Sequence, residues 1–394
     1  MLIALYDWLS PWIDDIKLLR FVQVIDQLEF RALLAAVLSL IIVLAFGRRV
    51  IAMLVKYKVG DAGLTDVDAL ARVAEAKANT PTMGGLLIAG SILISTLLLA
   101  DLGVRWVQIG VVVVLWTAAL GAVDDYLKLT AARRSGSRQG LHSWEKLVFQ
   151  LGLGVIVGYF AYRAGLGDSG PDAAPSLAHA LNLPLQKTYE SSLTGVVSQS
   201  VIYLSLPVYL VIAALMLAGM SNAVNITDGM DGLAAGIGTV VAFGLLVLAL
   251  IAGELRWAQT LLVPHVSFSG ELAVMAGAMA GACLGFLWFN ASPANVFMGD
   301  TGSLCIGGLI GYLAVVIRQE FVTLLMCGVF LFEIASVVIQ VAYFRATGGK
   351  RIFKCAPVHH HFHMVGWAEQ KIVARAWIAT VLLVIVALAT LKAR

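Results

Sequence analysis

Charge is scarce in this chain. Only 13 % of its 394 residues are Asp, Glu, Lys or Arg, against 60 % hydrophobic residues, and the mean hydropathy is +0.89. That scarcity excludes a soluble globular protein, in which roughly a quarter of the residues are charged. A basic stripe is missing too: the net charge is +3 and the Lys and Arg residues are scattered among loops, which excludes nucleic acid as a partner. Cysteine is sparse and widely spaced. Cys283, Cys305 and Cys327 lie inside apolar runs and Cys355 stands apart, so neither a disulfide framework nor a zinc site is supported. The first residues lack the basic region and small-residue cleavage site of a signal peptide. With no strict repeat and no stretch that reads as a soluble module, the expected organisation is one polytopic membrane domain over residues 1–394.

Long apolar runs are what the chain has in abundance. They fall near Leu33 to Phe46, Gly84 to Ala100, Val107 to Val123, Leu147 to Ala161, Val201 to Met220, Leu233 to Ile251, Leu272 to Phe289, Leu304 to Ile317, Val322 to Tyr343 and Ile372 to Leu391. The expected fold is therefore an all-α integral membrane protein of about ten transmembrane helices. Runs shorter than the roughly 20 residues of a full span are flanked by Arg, Lys, Trp or Tyr that anchor at the interface. Residues 1–29, with Trp8 and Trp12, read as an interfacial segment. Alternating loops place 17 of the 27 Lys and Arg residues on one side and 10 on the other. The positive-inside rule makes the richer side cytoplasmic and both termini periplasmic, with residues 163–200 a long periplasmic loop.

That assignment puts every chemically suggestive cluster at the cytoplasmic face. Asp124 and Asp125 follow the run that ends at Val123, where a helix C-terminus would disfavour unpaired anions. Lys128 supplies one compensating charge, and a divalent metal or a substrate-bound cation is a candidate for a second. Asn222-Ala-Val-Asn-Ile-Thr-Asp-Gly-Met-Asp-Gly232 reads as a tight turn with Asp231 as a helix cap, or as a site for a polar heterocycle in which Gly229 permits close approach. Asn290 to Ser303 opens the eighth helix. Asp300 there is either a cap or the carboxylate partner of a magnesium-diphosphate complex. His359-His-His-Phe-His363 raises zinc, but adjacent histidines point in different directions and nothing completes a tetrahedral shell; ring donors to phosphate oxygens fit better. Thr80 to Gly85 reads equally as a helix start with close-packing glycines, while Lys77 before it adds a phosphate-seeking charge. Lys146 opens the fourth span, a usual place for an interfacial anchor.

In order and in side, Thr80 to Gly85, Asp124-Asp125-Tyr-Leu-Lys128, Asn222 to Leu233, Asn290 to Gly302 and Pro357-Val-His-His-His361 form a pattern. On them the chain resembles the phospho-N-acetylmuramoyl-pentapeptide transferases, bacterial members of the polyprenyl-phosphate N-acetylhexosamine-1-phosphate transferases, over nearly its whole length. The resemblance implies transfer of phospho-MurNAc-pentapeptide from UDP-MurNAc-pentapeptide to undecaprenyl phosphate, giving lipid I and UMP with Mg2+ as cofactor. It also implies residence in the bacterial inner membrane, contact with membrane lipid and a homodimer.

By the same resemblance Asp124, Asp125 and Asp300 are the catalytic aspartates, with Asp300 the Mg2+ ligand. Asn290, Lys128, Lys146, His359, His360 and His361 line the phosphate region. Lys77, Asn225, Ile226, Asp228, Gly229, Asp231, Phe297 and Gly299 hold the uridine part, with Phe297 suited to stacking on uracil and Thr82 near that pocket. The stretch from Leu129 to Ser143, the outer loop and His363 depart from the family pattern without touching its motifs. A sister transferase acting on UDP-GlcNAc is the nearest rival, and the histidine motif argues against it. A transporter or magnesium channel would place polar residues near mid-membrane on several helices, whereas here they cluster at one face.

Overall fold

A computed structural model describes residues 1, 23–57, 80–135, 140–166 and 176–392, with the side chains of residues 132–135 outside that description. Of the segment read as interfacial, residues 2–22 lie outside it, and Leu28 and Glu29 belong to the first long helix. The described residues are mostly helical. In order come α1 (Leu28–Lys56), α2 (Gly85–Leu99), α3 (Arg105–Ser135) and α4 (Ser143–Gly165). A two-stranded antiparallel ladder follows, β1 (Ala180–Leu181) with β2 (Ile202–Tyr203). The second half holds α5 (Leu206–Thr227), α6 (Leu233–Gly253), α7 (Leu272–Asn290), α8 (Gly299–Val316), α9 (Gly328–Ala346), α10 (Val358–Met364) and α11 (Glu369–Thr390). Among the described residues nine helices are long and apolar enough to cross a membrane, and α2, with 15 residues, is a shorter apolar tenth. The expected count of about ten therefore holds.

The layering follows from residue size. In α8, 94 % of the apolar stretch is buried inside the protein, and in α7 83 %, against 22 % in α9 and 28 % in α11. Helices α7 and α8 are thus the centre, and α9 and α11 turn most of their surface outward. Small residues make the central position possible. A Cβ on Gly277 or Gly281 of α7 would stand 2.1 or 1.9 Å from the carbonyl oxygens of Ala32 and Ala36, so α1 and α7 meet backbone to backbone. In lipid, where apolar side chains gain nothing by leaving one apolar medium for another, such close packing is the main source of helix association.

At one end of the bundle a charged clasp fixes the ends of several helices. Arg31 of α1 donates to both carboxylate oxygens of Glu271, at 2.8 and 2.6 Å, and to the carbonyl oxygen of Leu99, which ends α2. The Asp101 N–H completes the set on Glu271. Within residues 163–200, read as a long outer loop, β1 pairs with β2 just beyond it, and Arg318, fully buried, donates from Nε to the Ala180 carbonyl. The opposite end of the bundle holds the aspartates.

Candidate functional site

Asp124, Asp125 and Lys128 sit inside α3, not at its end. The expectation that the helix stops near Val123 is overturned: α3 runs on to Ser135, so the carboxylates do not face a helix C-terminus. The apolar run and the helix are different objects. The run ends where side chains turn polar, while backbone hydrogen bonding continues through Lys128 and beyond.

The relevant helix end belongs to α8. Asp125 accepts the Asp300 N–H at Oδ1 (3.0 Å), and at Oδ2 it accepts both the Thr301 N–H (3.0 Å) and the Thr301 hydroxyl (2.7 Å). A carboxylate from α3 therefore caps the positive end of α8, as an anion there should. Gly299 makes the approach possible. Its φ is +72°, and a Cβ there would lie 2.7 Å from Asp125 Oδ2. Asp300, expected as either a cap or a ligand, leaves the capping to Asp125 and turns its own side chain elsewhere.

That side chain meets two lysines. Lys128 Nζ lies 2.8 Å from Asp300 Oδ1 and 2.6 Å from Asp124 Oδ2. Lys146 Nζ lies 2.9 Å from Asp300 Oδ2 and 3.1 Å from Asp124 Oδ2. Lys146, which opens α4, is thus brought into the centre and does not serve as an interfacial anchor. Asp124 is held further by the Leu141 N–H at Oδ1, 2.8 Å away. Asp124, Asp125 and Asp300 each offer an oxygen within 4.8 Å of the others. Three hard carboxylate donors facing two ammonium groups leave negative charge in excess, and this is a donor set suited to a divalent cation.

Asp228, between α5 and α6, adds to that excess. Burial, with the negative charge of Asp300 and Asp125 behind it, pushes its carboxyl up to about 7, against a partly offsetting hydrogen bond from the Gly299 backbone. A carboxyl that titrates near neutrality beside a carboxylate cluster is a recurrent mark of a functional site.

Backbone pairing fastens the flanking segments around this centre. Phe297 donates its N–H to the Pro81 carbonyl (2.8 Å), Gly84 to the Phe297 carbonyl (2.9 Å) and Gly85 to the Met298 carbonyl (2.8 Å). Thr82 is thereby set beside Phe297, whose ring is half-exposed, as a stacking surface requires. Asn225 donates to the Ser303 hydroxyl at 2.9 Å. Ile226 is half-buried on the same turn of α5. Asp231 accepts the Ala294 N–H, and buried Asn290 accepts the Gly232 N–H while donating to the Val296 carbonyl. Asp231 and Asn290 thus tie the 228–232 turn to the 290–299 segment. Lys77 lies outside the described residues.

The histidines divide. His359 is buried and its ring centroid lies 4.3 Å from that of His360, the two rings tilted by 59°. A Cβ on Gly229 would fall 2.4 Å from His359 Nε2, so the glycine is required where the 228–232 turn meets the ring. His361 turns away to accept the Lys354 N–H at Nδ1, 3.1 Å. Thr301 and Glu333 carry parts of the arrangement that sequence reasoning misses. Thr301 reads as an ordinary first-turn residue, but Glu333, the lone acid in the Val322 to Tyr343 run, carries the signal that an intramembrane charge always gives.

The chain is similar to known proteins over most of its length. Residues 107–318, which hold both α3 carboxylates and Asp300, match the model of glycosyl transferase family 4. Residues 77–88 match signature 1 of the phospho-N-acetylmuramoyl-pentapeptide-transferases. A curated phospho-N-acetylmuramoyl-pentapeptide-transferase from Desulfotalea psychrophila is 40 % identical over 372 residues, covering 94 % of this chain and 96 % of that protein. With the family match spanning α3 to α8 and the relative aligned almost end to end, the chain belongs to the phospho-N-acetylmuramoyl-pentapeptide-transferase family.

Proposed function

We propose that this protein transfers phospho-MurNAc-pentapeptide from UDP-MurNAc-pentapeptide to undecaprenyl phosphate, forming lipid I and UMP for peptidoglycan synthesis. The observation that carries the reading is the convergence of Asp124, Asp125 and Asp300 with Lys128 and Lys146, inside a chain aligned almost end to end with a relative named for this activity. The lipid acceptor accounts for a membrane enzyme, and the nucleotide donor for a site facing the cytoplasm. With 17 of 27 basic residues on the side of the site, that side is the cytoplasmic one in a bacterial inner membrane, and both termini are periplasmic.

An oxygen of the lipid phosphate attacks the β-phosphorus in line. A new P–O bond forms as the bond to the bridging oxygen breaks, and its electron pair leaves with UMP. A phosphate monoester has a second pKa near 6, so the acceptor is mostly ionised at neutral pH and needs little help from a base. Mg2+ held by Asp300 with Asp124 and Asp125 would supply positive charge against the donor diphosphate. Lys128 and Lys146 orient phosphate oxygens and offset charge that gathers on the leaving group. Asp125 is committed to the α8 N-terminus by three hydrogen bonds, so it positions Asp300 and is a poor candidate for a covalent nucleophile. Phe297, Asp228, Gly229, Asn225 and Thr82 form the uridine side, with Phe297 stacking on the base.

Labelled donor incubated with purified protein tests this reading. Label should enter the lipid phase only when both undecaprenyl phosphate and Mg2+ are present, and UDP-GlcNAc should not substitute. Stoichiometric UMP released without lipid acceptor would replace direct attack with a covalent enzyme intermediate.

A further inference from the structure

Glu333 is an acidic side chain inside a span that otherwise faces outward. On α9 only Phe330, Glu333, Ser336 and Gln340 are buried, at spacings of three and four, so one narrow stripe faces the protein. An ionisable group at such a position is costly unless something engages it. What engages it is His359. Glu333 Oε2 lies 3.0 Å from His359 Nδ1 and 3.4 Å from the His359 backbone nitrogen. The other ring nitrogen, Nε2, is buried against Gly229 and has no hydrogen-bond partner among the described residues.

We propose that Glu333 is a positioning residue for the transfer reaction, acting through His359. This rests on the reading above that His359 faces the donor phosphates. A carboxylate can only accept, so Nδ1 must carry the proton and Nε2 becomes the nitrogen left to exchange a hydrogen bond or proton with substrate. The contact also fixes the ring plane, in the way that a carboxylate behind a ligating histidine fixes its tautomer and orientation. A merely mechanical role is the alternative. Gln340, two stripe positions further along α9, plays such a role by accepting the Ile352 and Phe353 N–H groups, each at 3.0 Å. Glu333 differs because its shorter contact is to the ring, not to the backbone.

The test is a double-mutant cycle on the full-length protein in detergent with lipid acceptor, joined to histidine nitrogen NMR. Glu333→Ala should lower kcat by about 10- to 100-fold and leave the donor KM within about threefold. Glu333→Gln, whose carbonyl still accepts from Nδ1, should recover most of that loss. In the His359→Ala background Glu333→Ala should have no further effect, and in the parent it should abolish the Nδ1-protonated signal of His359. A further loss in the His359→Ala background, or an unchanged His359 tautomer in Glu333→Ala, overturns the proposal. If His359→Ala falls below detection, the tautomer measurement decides alone. Full activity in His359→Ala would instead overturn the phosphate-facing reading of His359.

Discussion

Asp125, midway along α3, caps the first turn of α8 at Asp300, accepting the Asp300 backbone N–H at 3.0 Å. One aspartate thus holds the backbone that presents another. The direction of the Asp300 side chain, toward Lys128 and Lys146, is set by a contact made 175 residues away in sequence. Removing this contact has two separable consequences. Asp125→Ala strands two buried N–H groups and the Thr301 hydroxyl, and it should destabilise the protein by about 2–4 kcal/mol. Asp125→Asn keeps one of the two acceptor oxygens and should recover part of that stability, yet lose most activity because the carboxylate's charge is gone from the cluster. Thermal unfolding in detergent beside transferase assays separates the two; near-parent activity in Asp125→Asn would deny Asp125 any role beyond capping.

The two lysines compete with any cation for the same oxygens. Lys146 touches Asp124 Oδ2 at 3.1 Å and Asp300 Oδ2 at 2.9 Å, and its side chain is largely buried. Lys146→Met should therefore tighten divalent-metal binding by about tenfold or more, since a nearby positive charge is lost in a poorly screened setting. Activity should fall sharply all the same, because phosphate loses a partner. Mn2+ titration followed by electron paramagnetic resonance reads the first effect and lipid I formation the second. Weaker metal binding in the variant would contradict the shared-oxygen arrangement.

Asp228 should make divalent-cation binding at the aspartates depend on pH. Its folded pKa of about 7 stands above the ordinary aspartate value of 3.8, with burial the largest cause and the Asp300 and Asp125 charges next. Below about pH 4 both folded and unfolded chains hold the proton and this stabilising contribution is fully present. It is lost as pH rises from there through about 7. A divalent cation at the aspartates cancels the repulsion and lowers the carboxyl, so Mg2+ binding near pH 7 should expel a fraction of a proton. Calorimetry in buffers of different ionisation enthalpy measures that release. Asp228→Asn should abolish it; identical proton release in the variant would mean that another group titrates.

Much of this site is legible in the sequence alone, for a physical reason. Polar residues in a membrane chain are expensive, so Asp124, Asp125, Lys128, the Asn222 to Gly232 cluster, Asp300 and the histidines stand out wherever they occur. The ten apolar runs mark the helices by the same contrast. What local patterns conceal is which backbone each polar group serves. Nothing near Asp125 foretells that it caps a helix beginning at Gly299, because that contact exists only once α3 and α8 are packed. Hydropathy misplaces the end of α3 because it reports the membrane boundary, whereas helix length is set by backbone bonding. Lys146 reads as an anchor until α4 folds it against Asp124. Glu333 carries a readable signal in its isolation, but the partner that explains it lies 26 residues on, in α10.

Gly229 offers the most direct check on how the 228–232 turn and His359 fit together. A methyl group there would stand 2.4 Å from His359 Nε2 and 2.9 Å from Cε1, well inside van der Waals contact. His359 has little freedom to retreat, since Glu333 holds its Nδ1 and His360 lies against its ring. The turn must move instead, taking Asp228 with it and breaking the Gly299 contact. Gly229→Ala should therefore raise the donor KM and lower kcat together, by about 1–3 kcal/mol in kcat/KM, the usual cost of overpacking a filled site. Trimming the ring should relieve the clash, so in a His359→Ala background the glycine substitution should cost little more. If Gly229→Ala is instead equally harmful with and without the imidazole, the turn does not rest on His359, and the packing of these two residues is not what shapes the nucleotide side of the site.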